Sequence, residues 1–198
     1  MTMKFLNEYE KMLAGEFYFH PNAESLAVEI PAADLLKQFN ETPMNDMSQR
    51  ITILQQALVN YQQGMILSPI YWQYGNIEIG GNTFINFDCM FIDNAKITIG
   101  ERNAIGMKCQ FITVLHDFDH THRVHFSPDG KHAVGGIGKA KSITIGDDCW
   151  LAASVIVLPG VTIGSRSVIG AGSVVTKSIP PDVFAAGNPC RVIKSIKK

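Results

Sequence analysis

The chain has 198 residues, enough for one domain with a substantial core, and its 17 Lys and Arg nearly balance 18 Asp and Glu, for a net charge of −1. This balance gives no reason to expect nucleic acid or an anionic membrane as partner, and neither a signal-peptide core nor a run of roughly 20 apolar residues is present, so we expect a cytoplasmic protein. Four widely spaced cysteines without a CxxC motif argue against a disulfide framework or a four-Cys zinc site.

Residues 1–64 are predicted to form an N-terminal helical cap region with three short helices. The first, "MKFLNEYEKMLAG", ends naturally at Gly15, and the second covers "IPAADLLKQFNET". The third covers "NDMSQRITILQQALVNYQQG" and begins at a cap supplied by Asn45 or Asp46. We expect these helices to cover one end of the domain that follows.

Residues 65–182 carry a repeat of six residues, in which each unit begins with a bulky apolar side chain. A period of six fits neither an amphipathic helix nor one long alternating strand. It predicts a triangular solenoid in which three short strands make one coil of 18 residues, and successive coils stack about 4.8 Å apart as parallel strands. The phase slips by two residues near Ile97, which indicates a small insertion there. The lead residues are Ile79, Ile85, Phe91, Ile99, Ile105, Phe111, Ile145, Leu151, Val157, Ile163, Ile169 and Val175.

The fifth position of the repeat is mostly small or β-branched. Cys89, Cys109 and Cys149 all occupy this position, and other units have Val or Ser there. We therefore predict that these cysteines are small interior fillers and not nucleophiles.

The regular coils are interrupted after Phe111. The spacing from Phe111 to Ile145 is 34 residues against 18 for a coil, so we expect a surplus of 16 residues to leave the prism as an external loop, residues 117–141. Loops of this length are usually functional or disordered.

The external loop begins within "TVLHDFDHTHRVHF", which holds four histidines and is compatible with a metal site, a catalytic base with bystanders or a solvated loop. Their positions relative to the six-residue repeat distinguish one of these histidines from the other three. His116 ends a hexapeptide and is expected to be fixed to the prism, whereas His120, His122 and His125 lie beyond it on a flexible excursion.

These segments together resemble the hexapeptide-repeat acyltransferases, and within them the maltose/galactoside O-acetyltransferase branch. The matching stretches are "EKMLAGEFY", "YGNIEIGGNTFINFDCMFIDNAKITIG", "TVLHDFDHTHR", "ITIGDDCWLAASVIVLPGVTIG" and "IGAGSVVTKSIPPDVFAAGNPCRVI". The resemblance implies a mainly β chain that forms a left-handed parallel β-helix with an N-terminal α-helical region, an extended external loop and a C-terminal tail at 183–198. It also implies a homotrimer with active sites between subunits, acetyl-CoA as donor, no metal, and a sugar or similar small hydroxyl compound as acceptor.

The resemblance assigns His116 as general base. An imidazole can take the proton of a hydroxyl as that oxygen attacks a thioester, so the assignment makes chemical sense. Asn86 and Asp93 match residues that bind acceptor hydroxyls, and Asp93 could instead orient His116.

Six further residues match positions along the CoA channel. Trp150 lies beside this channel in the family, with core packing as the alternative. Lys177 and Arg191 match residues near the CoA phosphates, where positive charge has a clear purpose. The six residues are Trp150, Ala153, Ala171, Thr176, Lys177 and Arg191.

Other functions of the same fold stay open at this point. Asn22, Gln73 and Asp117 depart from the family pattern on the acceptor side, which keeps the xenobiotic (antibiotic) acetyltransferases as an alternative. The histidine cluster raises the γ-class carbonic anhydrases, which hold zinc with three histidines, although the second half of the prism has no histidine. A non-catalytic scaffold would lack the base and the CoA-end residues together.

Overall fold

A computed structural model of the protein describes residues 5–197 and shows a mainly β chain with a short helical N-terminal part. None of the described helices is long and apolar enough to cross a membrane. The helices are α1 Glu8–Leu13, α2 Ala23–Glu41, α3 Met47–Ala57 and α4 His120–Arg123. The strands are β1 Tyr18–His20, β2 Asn60–Tyr61, β3 Met65–Ile66, β4 Ile70–Trp72, β5 Ile77–Ile79, β6 Phe84–Ile85, β7 Cys89–Ile92, β8 Ile97–Ile99, β9 Ala104–Ile105, β10 Gln110–Ile112, β11 Val114–His116, β12 His125–Phe126, β13 Ala133–Ala140, β14 Ile143–Ile145, β15 Trp150–Leu151, β16 Ile156–Val157, β17 Thr162–Ile163, β18 Val168–Ile169, β19 Val174–Val175, β20 Val183–Gly187 and β21 Cys190–Ser195.

Three parallel sheets form the sides of a triangular prism of about six coils. Face 1 is β2-β5-β8-β14-β17, face 2 is β3-β6-β9-β15-β18-β20 with β21 antiparallel at its end, and face 3 is β4-β7-β10-β16-β19. The chain visits faces 1, 2 and 3 in turn, so each coil contributes one strand to each face. The prediction of a left-handed parallel β-helix is confirmed.

The predicted lead residues fill the interior of the prism. All twelve are buried, and Phe91 stacks on Phe111 with ring centroids 4.8 Å apart. Ile145 pairs with Ile163, 18 positions later, whereas Ile79 pairs with Ile99, 20 positions later. The two-residue insertion therefore lies in the coil that was predicted to hold it.

Interior filling also accounts for the cysteines. Cys89, Cys109 and Cys149 are buried in the same core cluster as the lead residues. Burial raises the pKa of the Cys149 thiol, which keeps it in the unreactive thiol form.

The helices begin and end at different residues from those predicted. Helix α1 begins only after Asn7, which caps it, and Gly15 follows its end with φ 71°. Helix α2 begins at Ala23, well before the predicted "IPAADLLKQFNET", because the Asn22 side chain accepts a hydrogen bond from the Ser25 N–H at 2.8 Å and Pro31 is accommodated inside the helix. Helix α3 is capped by Asp46 but ends at Ala57, so Tyr61 belongs to the first strand of face 1.

The predicted external loop is a small antiparallel sheet. Phe111 pairs with Val157, 46 positions later, so 28 residues exceed a regular coil of 18. The expected surplus of 16 was too small because Phe111 and Ile145 lie on successive sides of the prism and not one coil apart. The extra residues form β12 and β13, and β13 pairs with both β11 and β1. The external segment therefore carries two strands and the short helix α4, and His116 belongs to this external sheet.

Helices α2 and α3 lie over the first coil and share its core. Trp72 donates its indole N–H to the Ala32 carbonyl at 3.1 Å, and its ring packs against Phe39. Behind them Arg50 is buried; it donates to the carbonyls of Thr42 at 2.8 Å and Ile66 at 3.0 Å. Its guanidinium lies 4.0 Å from the Phe39 ring centroid. One cation thus joins the end of α2, helix α3 and the first coil.

We expect Arg50→Met to lower the free energy of unfolding by about 2–4 kcal/mol, because buried carbonyls lose their donors and the cation–π contact disappears. Chemical denaturation measures the change. Arg102→Met is the matched control, since Arg102 lies at the surface with Asp148 as partner, and should shift the midpoint much less. Equal midpoints for the two variants would contradict the role of Arg50.

Candidate functional site

A cleft of about 300 Å³ lies where the external sheet meets the N-terminal segment and the prism. His116 lines one side of this cleft. Most of its other polar side chains come from segments far apart in sequence. The polar lining residues are Tyr18, His20, Gln73, Asn94, His116 and Arg123.

Strand register places three of these residues on one surface. Strands β1 and β11 pair with β13 from opposite edges: Tyr18 and His116 both lie opposite Gly138, and His20 lies opposite Gly136. Side chains alternate along a strand, so the partners of residues two positions apart project from the same face of the sheet. The sheet therefore presents Tyr18, His20 and His116 together.

The floor of the cleft is formed by glycines of β13. A Cβ atom on Gly136 would lie 2.1 Å from the Arg123 carbonyl oxygen, and one on Gly138 would lie 3.1 Å from the Tyr18 ring. Gly135 adopts φ 149°, a conformation that other residues rarely reach. The segment "VGGIG" is thus required for α4 and β1 to pack closely across β13.

His116 is oriented by the backbone of the neighbouring strand β13. Its Nδ1 lies 2.9 Å from the Ile137 carbonyl oxygen. A carbonyl can only accept, so Nδ1 carries the proton and donates it to this bond. The neutral ring then has its lone pair on Nε2, which can take a proton from a bound hydroxyl.

Asp93 occupies a different environment from the one predicted. It is buried, and its carboxylate accepts hydrogen bonds from the backbone N–H groups of Gln73 at 2.8 Å, Tyr74 at 3.0 Å and Asn76 at 2.7 Å. Burial raises the pKa of this carboxyl group, and the three hydrogen bonds oppose that shift. This geometry favours a structural role for Asp93, and His116 already has Ile137 as its orienting partner.

Asn94, the next residue, lines the cleft instead. It is 4% exposed, and its Oδ1 atom has no hydrogen-bond partner among the described residues. Nearby, burial raises the pKa of Tyr18 to about 12, so its hydroxyl keeps its proton at neutral pH. The sequence contains a signal that Asn94 and not Asp93 lines the cleft, because the alternation that buries Phe91 also turns the Asp93 side chain inward.

Asn86 and two predicted cofactor residues lie on one edge of the prism, with a third close by. Asn86 follows β6, and Ala153 and Ala171 follow β15 and β18, so all three lie at or beside the corner between faces 2 and 3. Trp150 lies nearby on the outer side of face 2 and is 54% exposed. Core packing of Trp150, the alternative interpretation, is therefore wrong.

The other predicted cofactor residues lie elsewhere. Thr176 and Lys177 follow β19 at the corner between faces 3 and 1, where the external sheet also leaves the prism, and both are exposed. Arg191 is exposed in β21 and donates to the Cys190 carbonyl at 2.8 Å. Within one chain, the predicted residues thus occupy two different edges and do not form a single site.

The three remaining histidines of the cluster make local contacts. His120 lies 3.7 Å from Asp119, and the His122 imidazole lies 3.5 Å from the Asp117 carboxylate. His125 meets the Phe19 ring edge-on, with centroids 5.4 Å apart. Within residues 5–197, no group of three or more His, Cys, Asp or Glu side chains is arranged to hold a metal ion.

Comparisons with known proteins agree with this architecture. The family model described as "Bacterial transferase hexapeptide (six repeats)" matches residues 142–177. A galactoside O-acetyltransferase of Escherichia coli (strain K12) is 36% identical over 164 residues, which span 82% of this chain and 76% of that protein.

Two solved structures are similar along almost the whole chain. The crystal structure of a maltose O-acetyltransferase from Clostridium difficile 630 has a TM-score of 0.90 at 38% identity, covering 98% of this chain and 100% of its own. A hexapeptide-repeat acetyltransferase from Vibrio cholerae O1 biovar eltor, complexed with acetyl-coenzyme A, has a TM-score of 0.84 at 33% identity, covering 98% and 100%. These similarities argue against the two alternative functions of the same fold, a carbonic anhydrase and a non-catalytic scaffold. The chain belongs to the hexapeptide-repeat acyltransferase family, in the branch that includes the maltose and galactoside O-acetyltransferases.

Proposed function

We propose that the protein transfers an acetyl group from acetyl-CoA to a hydroxyl of a sugar or similar small acceptor, with His116 as general base. The observation that carries the proposal is the bond from His116 Nδ1 to the Ile137 carbonyl, which in the neutral ring leaves the lone pair on Nε2 in a cleft lined by hydroxyl and amide groups. The acetyl-coenzyme A complex of the Vibrio relative and the names of the maltose and galactoside enzymes support donor and acceptor class.

The proposed reaction needs no covalent enzyme intermediate. Nε2 of His116 removes the hydroxyl proton as the acceptor oxygen bonds to the thioester carbonyl carbon. The tetrahedral intermediate then collapses, the C–S bond breaks, and the imidazolium returns its proton to the departing thiolate. The products are an acetyl ester and CoA with a free thiol.

The outer surfaces of the prism support self-association. Face 1 presents polar side chains to solvent, whereas faces 2 and 3 present mostly apolar ones. Apolar patches of this extent on a soluble protein usually mark an interface. The outward residues are Asn60, Glu78, Thr98, Thr144 and Thr162 on face 1, Met65, Phe84, Ala104, Trp150 and Val168 on face 2, and Tyr71, Met90, Gln110, Ile156 and Val174 on face 3.

We propose that three copies close a ring through faces 2 and 3, as the family resemblance implies. The resemblance also implies active sites between subunits, so we propose that the edge with Asn86 and the neighbouring Trp150 of one chain shares a site with the edge of His116 and Lys177 of the next. The active site would then lie between subunits, which explains why the predicted residues occupy two edges. In this arrangement Ala153, Ala171 and Thr176 offer contacts to the pantetheine arm, and Lys177 and Arg191 offer positive charge to the CoA phosphates.

His116→Ala should lower acetyl transfer by roughly 10²–10⁴-fold, because it removes the base and leaves the rest of the cleft in place. Thiol release from acetyl-CoA with a panel of hydroxyl acceptors, including antibiotics, measures the rate, and calorimetry should show unchanged CoA binding. His120→Ala is the matched control from the same external segment. Retention of more than a few per cent of activity by His116→Ala would contradict the base assignment.

Asp93→Asn tests the structural role of that carboxylate. An amide has one acceptor oxygen, so at least one of the three backbone N–H groups loses its partner, and we expect a loss of about 1–3 kcal/mol in unfolding free energy. Asp88→Asn, at an exposed corner nearby, is the control. An unchanged stability combined with a raised acceptor KM would instead favour direct contact with the acceptor.

Met90→Glu places a charge in the middle of face 3 and should split the trimer into monomers with little activity. Light scattering coupled to size-exclusion chromatography measures the mass. Thr98→Glu, on polar face 1, should remain trimeric. A monomeric wild-type protein, or a trimeric Met90→Glu variant, would contradict the proposed assembly.

A further inference from the structure

Three segments converge on one wall of the cleft, at the side opposite β11. His20 comes from β1, Gln73 follows β4, and Glu29 lies on α2. The Glu29 carboxylate lies between the other two: its Oε1 accepts from the Gln73 side-chain N–H at 3.0 Å, and its Oε2 lies 3.7 Å from His20 Nε2. We name these three residues the acceptor wall.

The acceptor wall is braced from behind. The His20 Nδ1 atom lies 3.2 Å from the Ser25 hydroxyl and 3.3 Å from the Tyr74 hydroxyl. The Gln73 backbone N–H is bound by the buried carboxylate of Asp93. A side chain held at both ends does not yield easily to a ligand, so the wall acts as a fixed boundary of the cleft.

The two outer members of the wall are the ones that a ligand meets. His20 and Gln73 line the cleft, whereas Glu29 lies behind them with Oε2 buried and without a hydrogen-bond partner among the described residues. The Gln73 side-chain NH2 group donates to Glu29 Oε1 and also lies 3.5 Å from the Tyr74 hydroxyl, so its amide oxygen is the group left to accept a hydroxyl proton. Glu29 is therefore a positioning residue, and Gln73 a contact residue.

We propose that the acceptor wall makes the enzyme selective for small acceptors, the size of a single sugar ring, over longer saccharides. The part of the cleft that one chain forms has a volume of about 300 Å³, at the low end of the roughly 300–1,000 Å³ typical of ligand pockets. His20 bounds it from the edge of β13 opposite to the edge that carries His116, and Gln73 lines it as the second fixed side chain of the wall. This inference rests on the proposed function and adds the size class of its acceptor.

Gln73→Ser tests the proposal because it shortens the wall and keeps the backbone N–H that Asp93 binds. Glucose and maltose are matched probes, since maltose is two glucose units. Wild type should favour glucose in kcat/KM, and Gln73→Ser should raise the maltose-to-glucose ratio by about tenfold with the KM for acetyl-CoA unchanged. Glu29→Ala should shift the ratio in the same direction by loosening both side chains.

Gln56→Ser, the same substitution at an exposed position of α3, is the control and should leave the ratio unchanged. Thermal unfolding of each variant confirms folding. Wild type that uses maltose as well as glucose, or unchanged ratios in both Gln73→Ser and Glu29→Ala, would overturn the size limit alone. Wild type that acetylates no hydroxyl acceptor would overturn the proposed function together with this inference.

Discussion

The pairing of β13 with β11 on one edge and with β1 on the other is the interaction on which the candidate site depends. It brings a strand from the N-terminal segment to the point where the prism chain leaves its coil. It also places the Ile137 carbonyl 2.9 Å from His116 Nδ1. Without this strand, His116 would have neither an orienting partner nor an opposing wall. The glycines of β13 permit the pairing, because larger residues would collide with Tyr18 and with the Arg123 backbone.

The prism supplies the rigid base for this small sheet. Each coil buries lead side chains against the coils above and below, so the strands before and after the external segment cannot shift independently. The N-terminal region serves two purposes on this base. Helices α2 and α3 cover the first coil. Helix α1 and strand β1 contribute Met12 and Tyr18 to a separate hydrophobic cluster beneath the external sheet. Helix α2 also carries Glu29 to the acceptor wall.

The prism could be predicted from the sequence because its cause is local and repeated. One buried side chain every six residues leaves a pattern that survives insertions, and it located both the coils and the cysteine fillers. His116 could be predicted for a related reason, since its motif adjoins a regular coil.

The rest of the site could not be predicted in this way, because it is formed by long-range contacts. Tyr18, His20 and Gln73 meet His116 only through the pairing of β13, whose glycine-rich sequence is typical of a loop. The choice of Asp93 over Asn94 followed the family resemblance, although strand alternation at Phe91 indicated that Asp93 turns inward. Trp150 was ambiguous because an aromatic residue fits either side of a strand, and only its exposure decides the matter.

The role proposed for His116 depends on one tautomer, in which the Ile137 carbonyl holds the ring with its proton on Nδ1 and its lone pair on Nε2. Nitrogen-15 NMR of the histidine side chains, with His116 assigned by its absence in His116→Ala, reports the tautomer of the neutral ring directly. We predict the Nδ1–H tautomer for neutral His116 in the folded protein. A neutral His116 found mainly as the Nε2–H tautomer would contradict the claim, because the nitrogen facing the acceptor could not then take its proton.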